Sequence, residues 1–156
     1  GFILGHGAMH NNLVYPMLRR FTAEGWVTRK SMPGERGQTR HQYAITALGR
    51  QELITRLSEF GESDAPSFSG FITRIGMFAL LEEPVRAGIL KQRENYLQHR
   101  EERLDAMRQN MDLETYGGEV VRYLIEQIES EREWIRRLHR LPEKPKHHRK
   151  LAGRKM

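Results

Sequence analysis

Residues 11–49 read NNLVYPMLRRFTAEGWVTRKSMPGERGQTRHQYAITALG and begin with a helical pattern. Leu13, Met17 and Phe21 recur every four residues, which places them on one face of an α-helix. The two asparagines before this stripe are suitable helix caps, and a glycine follows it. We therefore predict a helix that runs through Ala23.

A two-stranded hairpin is predicted directly after this helix. Residues 26–32 and 38–45 have strand-like patterns, and the turn sequence PGERG at 33–37 separates them. Thr46 then occupies a favourable N-cap position for another helix. A helix, a two-stranded ribbon and a capped helix in this order are typical of the second half of a winged helix-turn-helix.

The chain after residue 65 is predicted to be helical throughout. The run at 61–70, which contains Pro66 as well as Ser and Gly, marks the boundary. Three amphipathic helices follow, the second over about 85–111 with leucines every seven residues. Three thin helices bury little surface alone, so their apolar seam predicts packing against a second copy or, alternatively, a compact intramolecular bundle. The candidate dimerisation residues of this seam are Phe71, Ile75, Leu90, Leu97, Leu104, Val121, Leu124, Ile128, Ile135 and Leu138.

The charge is divided unevenly along the 156 residues, which carry 26 Lys and Arg against 20 Asp and Glu. The formal charge is +4 over residues 1–61, −3 over 62–141 and +5 over 142–156. A basic first segment favours a polyanionic partner such as nucleic acid. We therefore predict a DNA-binding domain over 1–61, a helical dimerisation domain over 66–141 and a disordered basic tail over 142–156.

The composition excludes several functional classes. The absence of cysteine rules out disulfide scaffolds, cysteine zinc sites and thiol nucleophiles. The apolar runs are far shorter than the roughly 20 residues that span a bilayer, so we expect a soluble protein. No complete nucleotide-binding, nucleophile or metal-ligand motif is present. We accordingly expect neither enzymatic activity nor a cofactor or metal.

Basic and polar residues concentrate on the first predicted helix and on the hairpin. In a winged helix-turn-helix the helix enters the major groove of double-stranded DNA and the ribbon contacts an adjacent groove or the backbone. The alternative is that the tyrosine packs in the core and the arginines form a solvated face. The candidate DNA-binding residues are Asn11, Asn12, Tyr15, Arg19, Arg20, Lys30, Arg36, Arg40 and His41.

Four aromatic residues of the helical part are candidates for a ligand cavity. Phe78, Tyr96, Tyr123 and Trp134 could line a pocket for a flat apolar compound between helices at the dimer seam. The alternative is that they are ordinary core residues.

These residues together resemble the PadR family of bacterial transcriptional regulators. The runs LVYPMLRRF at 13–21, EGWV at 24–27 and YAITALG at 43–49 are similar to the recognition helix of that family and to the strand-to-helix junction that ends its wing. The helical part is similar to the C-terminal dimerisation domain of the family at FITR (71–74), RENYL (93–97) and EWIRRL (133–138).

The resemblance implies a homodimeric repressor in the bacterial cytoplasm that binds a pseudo-palindromic operator and responds to a small aromatic or lipophilic effector. By position, Tyr15, Arg19 and Arg20 fall on the recognition helix and Arg40 on a wing strand. HNNL at 10–13 stands where the family tends to have Ser-x-Gly-Thr, which implies a different operator.

Two helices that precede the recognition helix in the family have no counterpart here. We therefore expect an N-terminally incomplete domain. The competing hypothesis is a helical protein-interaction module with a degenerate DNA-binding remnant, for which the basic wing would be superfluous.

Overall fold

The computed structural model describes residues 11–33 and 39–141, without the side chains of residues 11–13 and 40. The elements in chain order are α1 (Asn11–Ala23), β1 (Val27–Pro33), β2 (Thr39–Ile45), α2 (Ala47–Ser58), α3 (Phe68–Gly76), a 3-10 turn (Phe78–Leu80), α4 (Glu83–Gln109) and α5 (Tyr116–His139). The predicted fold class is confirmed: a mainly helical chain in which a helix, a two-stranded antiparallel wing and a capped helix precede three further helices.

The boundaries differ from the sequence prediction by a few residues. The first strand begins and ends one residue later than predicted, at Val27 and Pro33. The helix α3 begins at Phe68 because Ser67 caps it by accepting a hydrogen bond from Gly70 N. The long helix α4 begins at Glu83 and includes Pro84, which the first turn of a helix tolerates because its N–H would be unpaired there.

The junction between α1 and β1 is a tight reversal at Gly25. The backbone of Gly25 has a φ of 73°, the left-handed region that glycine adopts without steric cost. Trp26 N–H donates to the carbonyl of Phe21 at 2.9 Å, and the two aromatic rings pack with centroids 5.5 Å apart. Helix and wing are therefore joined by a turn of only three residues, 24–26.

Thr46 connects the wing to α2. Its Oγ1 accepts a hydrogen bond from Gly49 N at 2.9 Å and donates to the carbonyl of Gly25 at 2.7 Å. Gly49 is buried so close to the strand start that a Cβ there would lie 2.0 Å from the carbonyl oxygen of Trp26. The predicted N-cap is confirmed, and the same threonine ties the end of β2 to the residues just before β1.

The chain divides into two compact units, Gly1–Arg86 and Ala87–Met156. The division falls inside α4, whereas the sequence analysis placed a domain boundary at residues 62–65. The functional assignment of the segments 1–61, 66–141 and 142–156 stays a prediction.

In the second unit α4 and α5 pack as an antiparallel hairpin. Glu101 on α4 pairs with Arg132 on α5, and Glu94 lies 3.5 Å from His139. The core of the hairpin is aliphatic and lies between the helices. Its buried members are Ile89, Leu90, Leu97, Leu104, Val121, Ile125, Ile128 and Ile135.

Candidate nucleic-acid interface

The outer face of α1 is exposed and basic. Tyr15 and Arg19 lie four residues apart, on one face of the helix, and both are exposed, Tyr15 to 53%. Arg19 has no ion-pair partner within the described part of the chain, whereas Arg20 approaches Glu24 at 3.8 Å in a solvated pair of little energetic value. Tyr15 is therefore a surface residue, and the alternative that it packs in the core is wrong.

The ribbon has two different faces. The register pairs Arg29 with Tyr43 and Ser31 with His41, which puts these four residues on one face. Lys30, paired with Gln42, lies on the other face and is exposed. A lysine on the solvent side of a wing is positioned to reach a phosphate.

His41 is engaged inside the wing. The guanidinium of Arg29 donates to His41 Nε2 at 2.6 Å. Nδ1 lies 3.3 Å from Ser31 Oγ. His41 thus orients Arg29, a cation that the sequence analysis did not include because only the cross-strand pairing brings it to this histidine.

The remaining predicted contacts lie outside the described side chains. Arg36 falls in the residues that the structure does not describe, and only the backbone positions of Asn11, Asn12 and Arg40 are described. Arg40 pairs with Met32 in the register of the ribbon.

Trp26 is the centre of the scaffold that holds the basic residues. Its ring packs on Phe21 of α1 and lies 5.1 Å beneath the guanidinium carbon of Arg56 on α2. Its carbonyl accepts the backbone N–H of Thr46 at 2.9 Å. One residue therefore connects the candidate recognition helix, the wing and the helix that follows it.

The predicted dimerisation seam is mostly used inside one chain. Phe71 and Ile135 have no exposed surface, and Leu90, Leu97, Leu104, Val121 and Ile128 are also buried. Ile75, Leu124 and Leu138 are half-buried. The seam residues of α4 and α5 pack within the antiparallel hairpin, as the alternative of an intramolecular core proposed.

The four aromatic residues predicted for an effector pocket are not brought together within one unit. Phe78 belongs to the first unit and the other three to the second. The pairs that join α4 and α5, Arg93 with Glu131 and Glu101 with Arg132, place Tyr96 and Tyr123 at different levels of the hairpin. Tyr123 is 58% exposed and Trp134 is half-buried.

A buried ion pair in the hairpin was missed by the sequence analysis. The guanidinium of Arg93 donates to both carboxylate oxygens of Glu131, from Nε at 2.7 Å and from Nη2 at 2.8 Å. The side chains are 4% and 13% exposed, and Arg93 also stacks on Tyr96 at 5.2 Å. In the sequence, Glu131 is the one charged residue in the apolar series of α5. A charged residue at such a position is the signal that indicates a buried partner.

The described residues contain neither a candidate metal site nor a candidate membrane span. Within residues 11–33 and 39–141 no group of three or more His, Cys, Asp or Glu could hold a metal ion. None of the helices described there is long and apolar enough to cross a membrane.

The exposed helix, the ribbon and the capped helix together define a winged-helix protein. Residues 2–55, about a third of the chain, match the model of the transcriptional regulator PadR-like family. Over these residues the chain is similar to that family, which confirms the resemblance found in the sequence at residues 13–49.

Two solved structures are similar to the chain at low identity. Bacillus subtilis PadR in complex with operator DNA is 17% identical, with 81% of this chain and 76% of that chain covered and a TM-score of 0.40. The protein smu.1604c from Streptococcus mutans UA159 is 18% identical, with coverage of 82% and 77% and a TM-score of 0.41. A search of curated proteins found no match.

Proposed function

We propose that this chain is a homodimeric transcriptional repressor that binds double-stranded operator DNA through α1 and the wing, in the bacterial cytoplasm. The observation that carries DNA binding is the exposure of Tyr15, Arg19 and Lys30 on two elements that Trp26 holds together. Free cations on a helix and an adjacent ribbon complement two neighbouring stretches of phosphate backbone. The family of the matched segment consists of transcriptional regulators, which supports the same role.

The experiment is a salt titration of operator binding. Arg19→Ala and Lys30→Ala should each weaken DNA binding and reduce the slope of log affinity against log salt by about one, because each phosphate contact releases counterions. Arg103→Ala is the matched control, since Arg103 is an exposed cation on α4. Equal slopes for all three variants and the parent would refute the assignment of these residues.

Dimerisation is proposed through the outer face of α5 rather than through the buried seam. Tyr116, Val120 and Tyr123 are 95%, 57% and 58% exposed and recur at positions i, i+4 and i+7 on one helical face. Met107 on α4 is also exposed. A second copy is the partner that a two-fold dimer would supply, and two copies would place their α1 helices about 34 Å apart, one turn of DNA.

The oligomeric state tests this second part. Val120→Asp should shift the protein from dimer to monomer in sedimentation equilibrium, because it places a charge in an apolar contact. Gln51→Asp, at an exposed position of α2 and so outside this face of α5, is the control for added charge. A Val120→Asp variant that stays dimeric would exclude this face as the interface.

An effector-binding role for Phe78, Tyr96, Tyr123 and Trp134 also remains a proposal. Binding of a small aromatic compound near Trp134 would quench its fluorescence, and a Trp26→Phe variant leaves Trp134 as the single reporter. A quench that is linear in ligand concentration, without saturation, would refute a specific site there.

A further inference from the structure

A groove lies between α2 and α3 within the first unit. Its volume is about 390 Å³, within the range of small-molecule sites. Leucines form its apolar part, and hydroxyl groups and guanidinium groups form its polar part, with no acidic side chain among the described residues that line it. The residues that the argument uses are Leu53, Arg56, Leu57, Ser67, Ser69 and Arg74.

Arg74 brings a guanidinium that lies over the ring of Phe60 at 4.9 Å and forms a loose ion pair with Asp64. Its Nη2 donates to the carbonyl of Glu59 at 2.9 Å, and its Nη1 lies 3.4 Å from the carbonyl of Gly70. The nearest carboxylate oxygen, on Asp64, is 3.7 Å away, which is too far for a hydrogen bond. The Nε of Arg74 is buried and has no hydrogen-bond partner among the described residues. A buried donor without a partner is unusual in a native fold.

Arg56 brings a second guanidinium to the groove, and this one is free to change partners. Its side chain is 61% exposed, and its ion pair with Glu52 at 2.6 Å joins two residues of the same helix. Exposed pairs of this kind contribute little to stability, so a bound anion can replace the glutamate.

The first turn of α3 supplies hydroxyl groups beside the two arginines. Ser67 caps the helix, and its Oγ lies 3.4 Å from Ser69 Oγ. A carboxylate has only two oxygens, which a single guanidinium satisfies. Two guanidinium groups and two hydroxyls at a helix start instead suit an anion with three acceptor oxygens.

We propose that this groove binds a small phosphate monoester. The phosphate lies between Arg56 and Arg74 within reach of Ser69, and the apolar part of the molecule packs on Leu53 and Leu57. The charge of the lining residues and the leucine wall together determine this class of ligand.

Binding there is coupled to the candidate recognition helix by contacts described above. Arg56 lies on the ring of Trp26, and Trp26 packs on Phe21 of α1. A phosphate that draws Arg56 away from the indole changes the packing beneath α1. This regulatory consequence rests on the proposed DNA-binding function, whereas the binding itself does not.

The test is calorimetric titration of the full chain with phenyl phosphate, without DNA and at constant ionic strength. We expect saturable binding that Arg56→Gln weakens by about tenfold or more, the effect of one charge-assisted hydrogen bond. Ser69→Ala should weaken it by a smaller factor. Arg50→Gln is the matched control, because Arg50 is exposed on the same helix and does not line the groove. It should leave the affinity unchanged.

Three results would overturn the proposal: no saturable binding, equal losses for Arg56→Gln and Arg50→Gln, or benzoate binding as tightly as phenyl phosphate. Operator binding is measured separately. A chain that binds phenyl phosphate and not DNA refutes the DNA-binding function alone, and the opposite result refutes the groove alone.

Discussion

Removing one partner of the ion pair between Arg93 and Glu131 should destabilise the protein far more than removing both. Glu131→Leu leaves the guanidinium of Arg93 at 4% exposure without its bidentate carboxylate. Removing the carboxylate partner of a buried charge typically lowers the free energy of unfolding by about 3–5 kcal/mol. Arg93→Met should be similarly severe, although the glutamate that remains is somewhat more exposed, at 13%. The double variant restores an apolar contact between α4 and α5, and replacements of this kind are often neutral or stabilising.

Urea unfolding of the parent, both single variants and the double variant gives the coupling free energy of the pair. A matched control is the pair between Arg136 and Glu133, whose side chains are 60% and 51% exposed and which joins residues one turn apart on α5. Removing Glu133 should cost less than about 1 kcal/mol. The reasoning fails if Glu131→Leu costs no more than this control, or if the double variant loses as much as the two single variants combined.

Three further predictions concern the backbone. Gly49→Ala should lower the free energy of unfolding by about 1–3 kcal/mol or more, because its Cβ would lie 2.0 Å from the carbonyl oxygen of Trp26 and the strand must move. A thermal midpoint equal to that of the parent would contradict this prediction. Thr46→Ala should cost about 1 kcal/mol through loss of the α2 cap, and Thr46→Ser should recover most of it in the same denaturation assay. Gly88→Ala should stabilise α4 by roughly 0.5–1 kcal/mol, since nothing lies within 4 Å of the added methyl group, and a lower urea midpoint would show that this position is not free.

The first helix and the wing could be predicted because their determinants are local. A helical repeat, a glycine turn and a threonine cap act over a few residues. The helix ends at Ala23, Gly25 has a positive φ and Thr46 caps α2, as the sequence predicted. Tyr15 and Arg19 lie four residues apart and therefore share one face of α1, and both are exposed.

Whether the apolar seam of the helical part packs within one chain or against a second copy could not be predicted in the same way. Periodicity identifies an apolar face and says nothing about whether its partner is the same chain or another. The alignment of α4 against α5 decides that Glu131 faces Arg93 and that Tyr96 and Tyr123 lie at different levels. That alignment depends on the turn before α5, where Gly118 packs against the backbone of Leu113.

The separation of Trp26 from the exposed side chains of α1 and the wing has a consequence for how such a protein diverges. Tyr15, Arg19 and Lys30 project from the surface, so exchanging them changes the free energy of folding by only about half a kcal/mol either way. Descendants of one gene can therefore acquire new DNA targets through substitutions that leave folding almost untouched. The indole, by contrast, is held between Phe21 on α1 and Arg56 on α2 and leaves little freedom for change. Among duplicated copies, we expect rapid drift at the surface positions around a constant tryptophan.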